Sequence, residues 1–271
     1  MLTQKEKMSQ KETSSNPNPR KKGIIAVWLF ILSYWALTSF FARASSVSRI
    51  PSVITASSWL TFIAGQFVEY APVLLFLLFF MWLNEKNRSV GIQNLFSSVG
   101  WNRTGIRQSL KWAVIFLLIL APISLVLSDV QSLVAVGAEG ASTPSATTSI
   151  PLSALIMLII SALGTAVTEE TVVRGCILDR LMPTHPSTIR QALNAIVITS
   201  IMMMSYHAAP YLNSYRYSLP LTAAGLLSVF VYSLFLSFAY VRSRVRNASG
   251  PILFHFLLDA GFYIVLFALV G

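Results

Sequence analysis

The chain has 271 residues, of which 55% are hydrophobic and 11% are charged, and its mean hydropathy is +0.66. Because an ordinary soluble domain carries roughly 25% charged residues, this composition excludes a soluble protein and predicts an integral membrane protein. The net charge of +10 would suggest a nucleic-acid partner in a soluble protein. The positions of the basic residues along the chain argue against nucleic-acid binding.

The predicted elements are long apolar helices. A hydrocarbon core of roughly 30 Å requires about 20 apolar residues per helix, so we expect an all-α, polytopic membrane protein with about seven transmembrane helices in a bundle. The predicted spans are residues 23–42, 58–83, 113–128, 151–173, 189–209, 219–241 and 251–270. We further divide the chain into three regions. Residues 1–22 form a disordered basic cytoplasmic tail, residues 23–150 form the N-terminal transmembrane helices and loops, and residues 151–271 form a helical core.

The basic residues alternate between the two sides of the predicted bundle. Seventeen of the twenty lysines and arginines lie in the tail or in the second, fourth and sixth connections, whereas Arg43, Arg49 and Arg216 lie on the other side. By the positive-inside rule this asymmetry predicts a cytoplasmic N-terminus and, after an odd number of spans, a C-terminus outside the cell membrane. The basic residues are thus explained by the orientation of the chain in the membrane, and no nucleic-acid partner is expected.

Two connections between the predicted spans stand out. The segment 84–111 is basic and contains "NLFSSVGW", which predicts an amphipathic helix on the cytoplasmic surface. The segment from Asp129 to Ile150 contains the small-residue tract "GAEGASTPSATTS" and predicts a mobile outer loop. Neither connection carries an obvious reactive group, so any chemistry is expected inside the membrane.

Ionisable residues within apolar spans are expensive, and this cost makes them functional candidates. The candidates in the predicted spans are Glu69, Glu169, Glu170, His207, His255 and Asp259. The third histidine, His185, lies in the polar run "PTHPST" and is predicted to be solvated. The lone carboxylate Glu69 has no local partner, and we expect it to line a cavity or to take part in helix packing.

The stretch "TEETVVRG", residues 168–175, places two carboxylates and an arginine after an apolar run. Glu170 and Arg174 are four residues apart and are expected to form an ion pair on one helix face. Glu169 has no cation on its own face, and a buried carboxylate without a cation is a usable base near neutral pH. Alternatively, both glutamates mark the end of the span. The pattern "VVRGCILDRLM" favours a helix that continues to about Met182 and leaves them submerged.

The last span contains "HFLLD", in which His255 and Asp259 are four residues apart. The aspartate can accept the histidine N–H, or both can face a shared ligand; as an alternative, the pair joins two helices. His207 ends the fifth span and could instead reach the outer interface. A carboxylate base, two histidines and an aspartate on three helices suit hydrolysis, with water activated by Glu169 and an oxyanion stabilised by the histidines, with or without a metal.

The motifs "EETVVR", a histidine at the end of an apolar helix, and "HFLLD" occur in this order. They resemble the pattern EExxxR, FxxxH and HxxxN or HxxxD of the CPBP family, the CAAX-processing and bacteriocin-processing intramembrane proteases, also called Abi proteins. The runs "EETVVRGCILDRL" and "AYVRSRVRNASGPILFHFLLD" resemble the family as well, so that the resemblance covers about residues 150 to 265. Met203 stands where the pattern has phenylalanine, a change that we expect to alter packing more than chemistry.

The resemblance implies an intramembrane endopeptidase that cuts a peptide bond near the cytoplasmic face, with residues 151–271 as its catalytic core. In such an enzyme Glu169 would activate the attacking water with help from His207, while His255 and Asp259 would bind the oxyanion or hold the water. The family's members are called metalloproteases, yet a glutamate-dependent mechanism without a tightly bound metal is also argued for them. A zinc ion, if bound, would use Glu169, His207 and His255. Expected partners are membrane lipid and a membrane-bound or peptide substrate, such as a prenylated protein or a bacteriocin-like peptide.

Two other functions are considered. One is a catalytically idle scaffold or bacteriocin-immunity protein of the same fold; the other is a proton-coupled transporter that relays protons through Glu69, Glu169 and Asp259, which the lack of paired broken helices disfavours. The depths of the histidines also need an explanation. His207 lies roughly 27 Å along its helix from Ile189, whereas His255 is about 6 Å from Pro251. Either the fourth and fifth helices tilt strongly, or the connection 174–191 is partly submerged.

Overall fold

The computed structural model describes residues 23–44, 56–85, 96–101, 103–139, 152–182, 189–214, 218–242 and 246–270. These residues form helices and short connections without β-strands, which confirms the predicted all-α fold. The elements are α1 (Ile24–Ala44), α2 (Ala56–Glu85), α3 (Ile106–Glu139), α4 (Leu152–Glu170), the π-helical segment π1 (Thr171–Leu178), α5 (Asp179–Leu181), α6 (Ile189–Tyr206), α7 (Ala208–Ser214), α8 (Leu219–Arg242) and α9 (Ser249–Val270). The predicted tail 1–22 and His185 lie outside the described residues.

Four stretches of described helix are long and apolar enough to cross a membrane. They are Trp59–Leu83, Leu152–Leu181, Ile189–Asn213 and Leu219–Arg242. A shorter apolar helix, Ile24–Thr38, accompanies them. These helices agree with an integral membrane protein, while the count of seven spans stays a prediction.

The helices pack into one bundle whose interior is partly polar. Helix α8 packs against α3 and α6, α9 packs against α3 and α4, and α1 packs against α2, α6 and α7. Along α1, Val27, Ile31 and Trp35 recur every four residues and are buried, whereas Ile25 and Leu29 on the opposite face are 67% and 46% exposed. Large apolar side chains thus cover both the interior and the outer surface, whereas the charged residues Glu169, Glu170 and Arg174 are buried in the interior.

The helix that begins as α4 continues beyond the two glutamates, as the pattern "VVRGCILDRLM" predicts, but it changes its hydrogen-bonding type. Residues 171–178 are π-helical and all are buried. The hydroxyl of Thr171 donates to the carbonyl of Val167 at 2.5 Å and accepts from Trp101 Nε1 at 2.8 Å. A threonine hydroxyl on the i−4 carbonyl competes with the α-helical ladder, and single π turns within α-helices are frequent at functional sites.

The segment 96–101 corrects one prediction. Only residues 96–98 are helical, and Val99 and Gly100 are buried, so the expected amphipathic surface helix is wrong here. A Cβ atom on Gly175 would lie 2.0 Å from the carbonyl oxygen of Val99, and the Ala248 N–H donates to the Gly100 carbonyl at 3.0 Å. Because Gly175 has no side chain, the backbone of this segment lies directly against π1.

A second correction concerns the predicted outer loop from Asp129 to Ile150. Helix α3 runs to Glu139 through the internal Pro122, so the loop prediction is wrong for residues 129–139. The run "DVQSLVAVGAE" has enough helix-forming residues to extend the helix, whereas the tract rich in proline, serine and threonine begins only after it. Residues 140–150 lie outside the described residues.

Candidate active site

Both glutamates of the opening motif lie inside the protein. Glu169 is 5% exposed, and Glu170 and Arg174 are 0% exposed. The apolar helical stretch Leu152–Leu181 also continues past both glutamates, which favours their submerged position over the alternative in which they mark the end of a span. Carboxylates at such depth require partners because unpaired buried charges are strongly destabilising.

Glu170 is held by two close contacts. Its Oε1 atom accepts a hydrogen bond from Arg174 Nη1 at 3.0 Å and lies 2.9 Å from His255 Nδ1. Arg174 Nη2 donates to the carbonyl and hydroxyl oxygens of Ser233 at 2.9 and 2.8 Å, and Nη1 contacts Met203 Sδ at 2.9 Å. We call these five residues the Glu170 cluster. It joins α4 and π1 to α6, α8 and α9 through side chains.

His255 stands between two carboxylates. Its Nδ1 faces Glu170 at 2.9 Å, and its Nε2 lies 3.4 Å from Asp259 Oδ2 one turn later in α9. Because a carboxylate accepts hydrogen bonds, both contacts are hydrogen bonds at once only when both ring nitrogens carry a proton. The Asp259 side chain is 36% exposed, so the side of His255 that faces Asp259 is the accessible one.

Glu169 faces a different histidine. Its Oε1 lies 3.6 Å from Nε2 of His207, which sits at the break between α6 and α7. The other ring nitrogen, Nδ1, lies 2.9 Å from the Met203 carbonyl. A carbonyl can only accept, so Nδ1 carries a proton and Nε2 is directed at Glu169. We call Glu169 and His207 the Glu169 pair.

The structure places the four predicted catalytic side chains in two groups, at two adjacent residues of the motif. Glu169 contacts His207, Glu170 contacts His255, and consecutive Cα atoms are about 3.8 Å apart, so the two histidines approach the motif from neighbouring positions. His207 and His255, which were predicted at different depths along their helices, therefore both reach the motif. The first part of the connection 174–191 is packed inside the protein, since residues 174–178, Arg180 and Met182 are buried.

The lone carboxylate of α2 lies near the same site. Glu69 is within electrostatic range of Glu169, and its neighbour Tyr70 bonds Thr165 of α4 through the two hydroxyls at 2.6 Å. Tyr70 lies so close to Gly164 that a Cβ atom there would be 2.8 Å from its ring. Helix α2 therefore forms one side of the region next to Glu169, and the packing or cavity role of Glu69 stays a prediction.

The described residues do not form a ready three-ligand metal site. No group of three histidine, cysteine, aspartate or glutamate side chains among them is arranged to hold a metal ion. Of the zinc ligands implied by the family resemblance, Glu169 and His207 lie together, whereas the ring nitrogens of His255 face Glu170 and Asp259. This donor geometry does not fit the predicted zinc set.

Two contributing residues were not singled out from the sequence, and a third has a larger role than expected. Ser233 binds Arg174, but a single serine in an apolar helix has no distinguishing pattern. Met203, which was expected to alter packing more than chemistry, contacts Arg174 through its sulfur, a contact that phenylalanine could not make. Tyr206 adjoins His207 in "SYH", and an aromatic residue beside a candidate histidine was the available signal.

An all-helical chain with apolar outer faces and an enclosed set of carboxylates, histidines and one arginine defines an integral membrane protein with a buried polar site. Residues 151–261 match the model of the family described as Type II CAAX prenyl endopeptidase Rce1-like, and this segment contains every residue of the Glu170 cluster and the Glu169 pair. The resemblance to the CPBP family is thereby confirmed over this segment. Searches of curated proteins and of solved structures returned no match.

Proposed function

We propose that the protein is an intramembrane endopeptidase in which Glu169 activates the water that hydrolyses the peptide bond. The observation that carries this proposal is the approach of Glu169 Oε1 to His207 Nε2 at 3.6 Å. Glu169 is buried, but the His207 side chain is 17% exposed, so the pair can be reached from outside the protein. Glu170, in contrast, has its near oxygen committed to Arg174 and His255.

The proposed reaction has two proton transfers. Glu169 takes a proton from water while the water oxygen bonds to the carbonyl carbon of the substrate, which gives a tetrahedral intermediate. The carbon–nitrogen bond then breaks, and the proton passes from Glu169 to the leaving amine. His207, whose Nδ1 is held by the Met203 carbonyl, keeps Nε2 directed at this proton path.

The Glu170 cluster has a separate role in this proposal. Its buried ion pair holds His255 in place, and the imidazole can donate to the oxyanion of the intermediate through Nε2. The contact of Nε2 with Asp259 is long, at 3.4 Å, so the nitrogen can exchange this carboxylate for the substrate. Asp259 then holds the ring orientation or the water.

The substrate class follows from the family match rather than from a pocket. A family described as a CAAX prenyl endopeptidase supports a prenylated peptide whose scissile bond lies near the membrane surface. We further propose the cell membrane as location, and the lysine and arginine distribution supports an N-terminus in the cytoplasm and a C-terminus outside. Protease accessibility of a C-terminal tag in sealed vesicles tests this orientation.

The test compares two carboxylate-to-amide substitutions in the full-length protein in lipid nanodiscs, with a farnesylated CAAX peptide as the probe. Glu169→Gln removes the base with little change in volume and is expected to lower kcat by at least about 100-fold, because a general base contributes roughly 10²- to 10⁴-fold. Asp179→Asn is the matched control. Asp179 pairs with Arg246 at 3.0 Å at the partly exposed end of π1, and its loss should leave kcat unchanged.

The outcomes separate the enzyme from the idle scaffold. Hydrolysis by the wild type that Glu169→Gln abolishes, with both variants folded, supports the proposal. Wild-type hydrolysis that persists in Glu169→Gln shows that another group activates the water. No hydrolysis by the wild type of either this peptide or a bacteriocin leader peptide would favour the scaffold or immunity function.

A further inference from the structure

Tyr206 is the last residue of α6 and lies between two rings. Its ring centroid is 4.4 Å from that of Trp35 on α1 and 4.5 Å from that of His207. The residue is only 3% exposed. The imidazole of His207 therefore rests on the tyrosine ring, and the tyrosine ring rests on α1.

The hydroxyl of Tyr206 lies near the charged side chains of the site. It lies within electrostatic range of the Glu169 and Glu170 carboxylates and of Arg174. Tyr206 Oη and Glu169 Oε2 are both buried, and among the described residues neither has a hydrogen-bond partner at standard distance and angle. The Tyr206 hydroxyl is thus available to donate to Glu169 Oε2, the oxygen that His207 does not face.

Helix α1 fixes this arrangement from outside the family-matched segment 151–261. Trp28 Nε1 donates to the hydroxyl of Ser205 at 3.0 Å, one residue before Tyr206, and Trp35 lies two turns further along α1. The indoles hold successive residues at the end of α6 immediately before His207. Packing of α1 against α6 and α7 therefore determines where this histidine can lie.

We propose that Tyr206 is a positioning residue for the Glu169 pair: its hydroxyl donates to Glu169 Oε2 and its ring, backed by Trp35, sets the plane of His207. This inference rests on the proposed function and deepens it. A carboxylate held at Oε2 keeps Oε1 directed at His207 and at the attacking water. Such preorganisation matters because a misplacement of about 1 Å in a reacting group can cost on the order of 100-fold in rate.

The kinetic test uses Tyr206→Phe, which retains the ring and removes the hydroxyl. With the farnesylated CAAX peptide we expect kcat to fall by about 10- to 100-fold, as for loss of a hydrogen bond to a charged group, while KM stays within about twofold. Tyr240→Phe is the matched control. Tyr240 is also buried, but its hydroxyl donates to the Arg246 carbonyl at 3.2 Å, away from the Glu169 pair, and its kcat should not change.

A second measurement needs no substrate. The chain has three histidines, so the imidazole nitrogen signals of a ¹⁵N-histidine-labelled sample can be assigned with single histidine variants. Tyr206→Phe is expected to shift the signals of His207 and to leave those of His255 in place, because phenylalanine keeps the ring stacking while Glu169 is released. Tyr240→Phe should shift neither.

The two readouts together decide the inference. A lower kcat at constant KM with altered His207 signals supports it. A kcat equal to that of Tyr240→Phe with unaltered His207 signals overturns it. If the wild type hydrolyses no peptide, the proposed function fails, and the His207 signals alone then decide whether Tyr206 positions this pair.

Discussion

Glu169 and Glu170 are adjacent in sequence and differ in almost every structural respect. Glu170 is fully buried, with Arg174 and His255 both within 3.0 Å of one oxygen. Glu169 has one histidine at 3.6 Å, and that histidine is partly exposed. The difference shows how one motif combines two tasks. A carboxylate with close partners connects helices, whereas a loosely held neighbour keeps an oxygen available for chemistry.

The Glu170 cluster also explains how an arginine can lie at the centre of an apolar bundle. Burying a charge costs several kcal/mol unless its partners and hydrogen bonds satisfy it. Arg174 has a carboxylate, a hydroxyl, a carbonyl and a sulfur around its two terminal nitrogens. Two of these partners, Met203 and Ser233, come from the separate helices α6 and α8, so the cost of burial is offset only when those helices are assembled.

The largest expected effect comes from breaking this cluster. Arg174→Leu leaves Glu170 buried without its cation, which should lower the free energy of unfolding by about 3–5 kcal/mol. Thermal unfolding in detergent micelles measures this loss. Glu169→Gln should have a much smaller effect in the same assay because the one partner of Glu169, His207, is 3.6 Å away. Equal losses in the two variants would contradict the division between the two glutamates.

Arg190→Leu is the matched control for Arg174→Leu. Arg190 lies in the first turn of α6 and is exposed, so its replacement should change stability by no more than about 0.5 kcal/mol. A loss comparable to that of Arg174→Leu would show that overall positive charge, rather than the buried cluster, controls stability.

An intermediate effect is expected where π1 meets the segment 96–101. Gly175→Ala places a methyl group 2.0 Å from the Val99 carbonyl oxygen, next to Arg174. The backbone must shift, at a cost of about 1–3 kcal/mol, and thermal unfolding should register it. Gly65→Ala has nothing within 4 Å of the new atom and should instead be neutral or stabilising by up to about 1 kcal/mol. Similar behaviour of the two variants would mean that this close approach is not needed.

The smallest effect concerns one hydrogen bond of the Glu170 cluster. Ser233→Ala removes the hydroxyl acceptor of Arg174 at 2.8 Å but keeps the carbonyl acceptor, so we expect a loss of about 1–2 kcal/mol in stability and little change in kcat. Ser228→Ala on the same helix is the control, since its hydroxyl bonds the Ala224 carbonyl within α8. A large fall in kcat without a fall in stability would show that this hydrogen bond of Arg174 contributes to the reaction rather than to stability.

The sequence alone determined the features that depend on composition and on local spacing. Apolar content predicted a helical membrane protein, and four-residue spacing predicted the contacts of Glu170 with Arg174 and of His255 with Asp259, because side chains one turn apart on a helix are neighbours. The continuation of the helix to Leu181 followed from the amphipathic pattern of its last turns. Where local composition was ambiguous, as at 96–101 and 129–139, the predicted element was wrong.

The tertiary structure alone decided which glutamate meets which histidine. The spacing left Glu170 with one partner and Glu169 with none, whereas the folded chain adds His255 to the first and His207 to the second. These contacts join helices that are far apart in sequence, and they depend on the π-helical turn, on the approach of Val99 to Gly175 and on the support that α1 gives to Tyr206. No periodicity encodes them, because they result from how whole helices satisfy buried charges together.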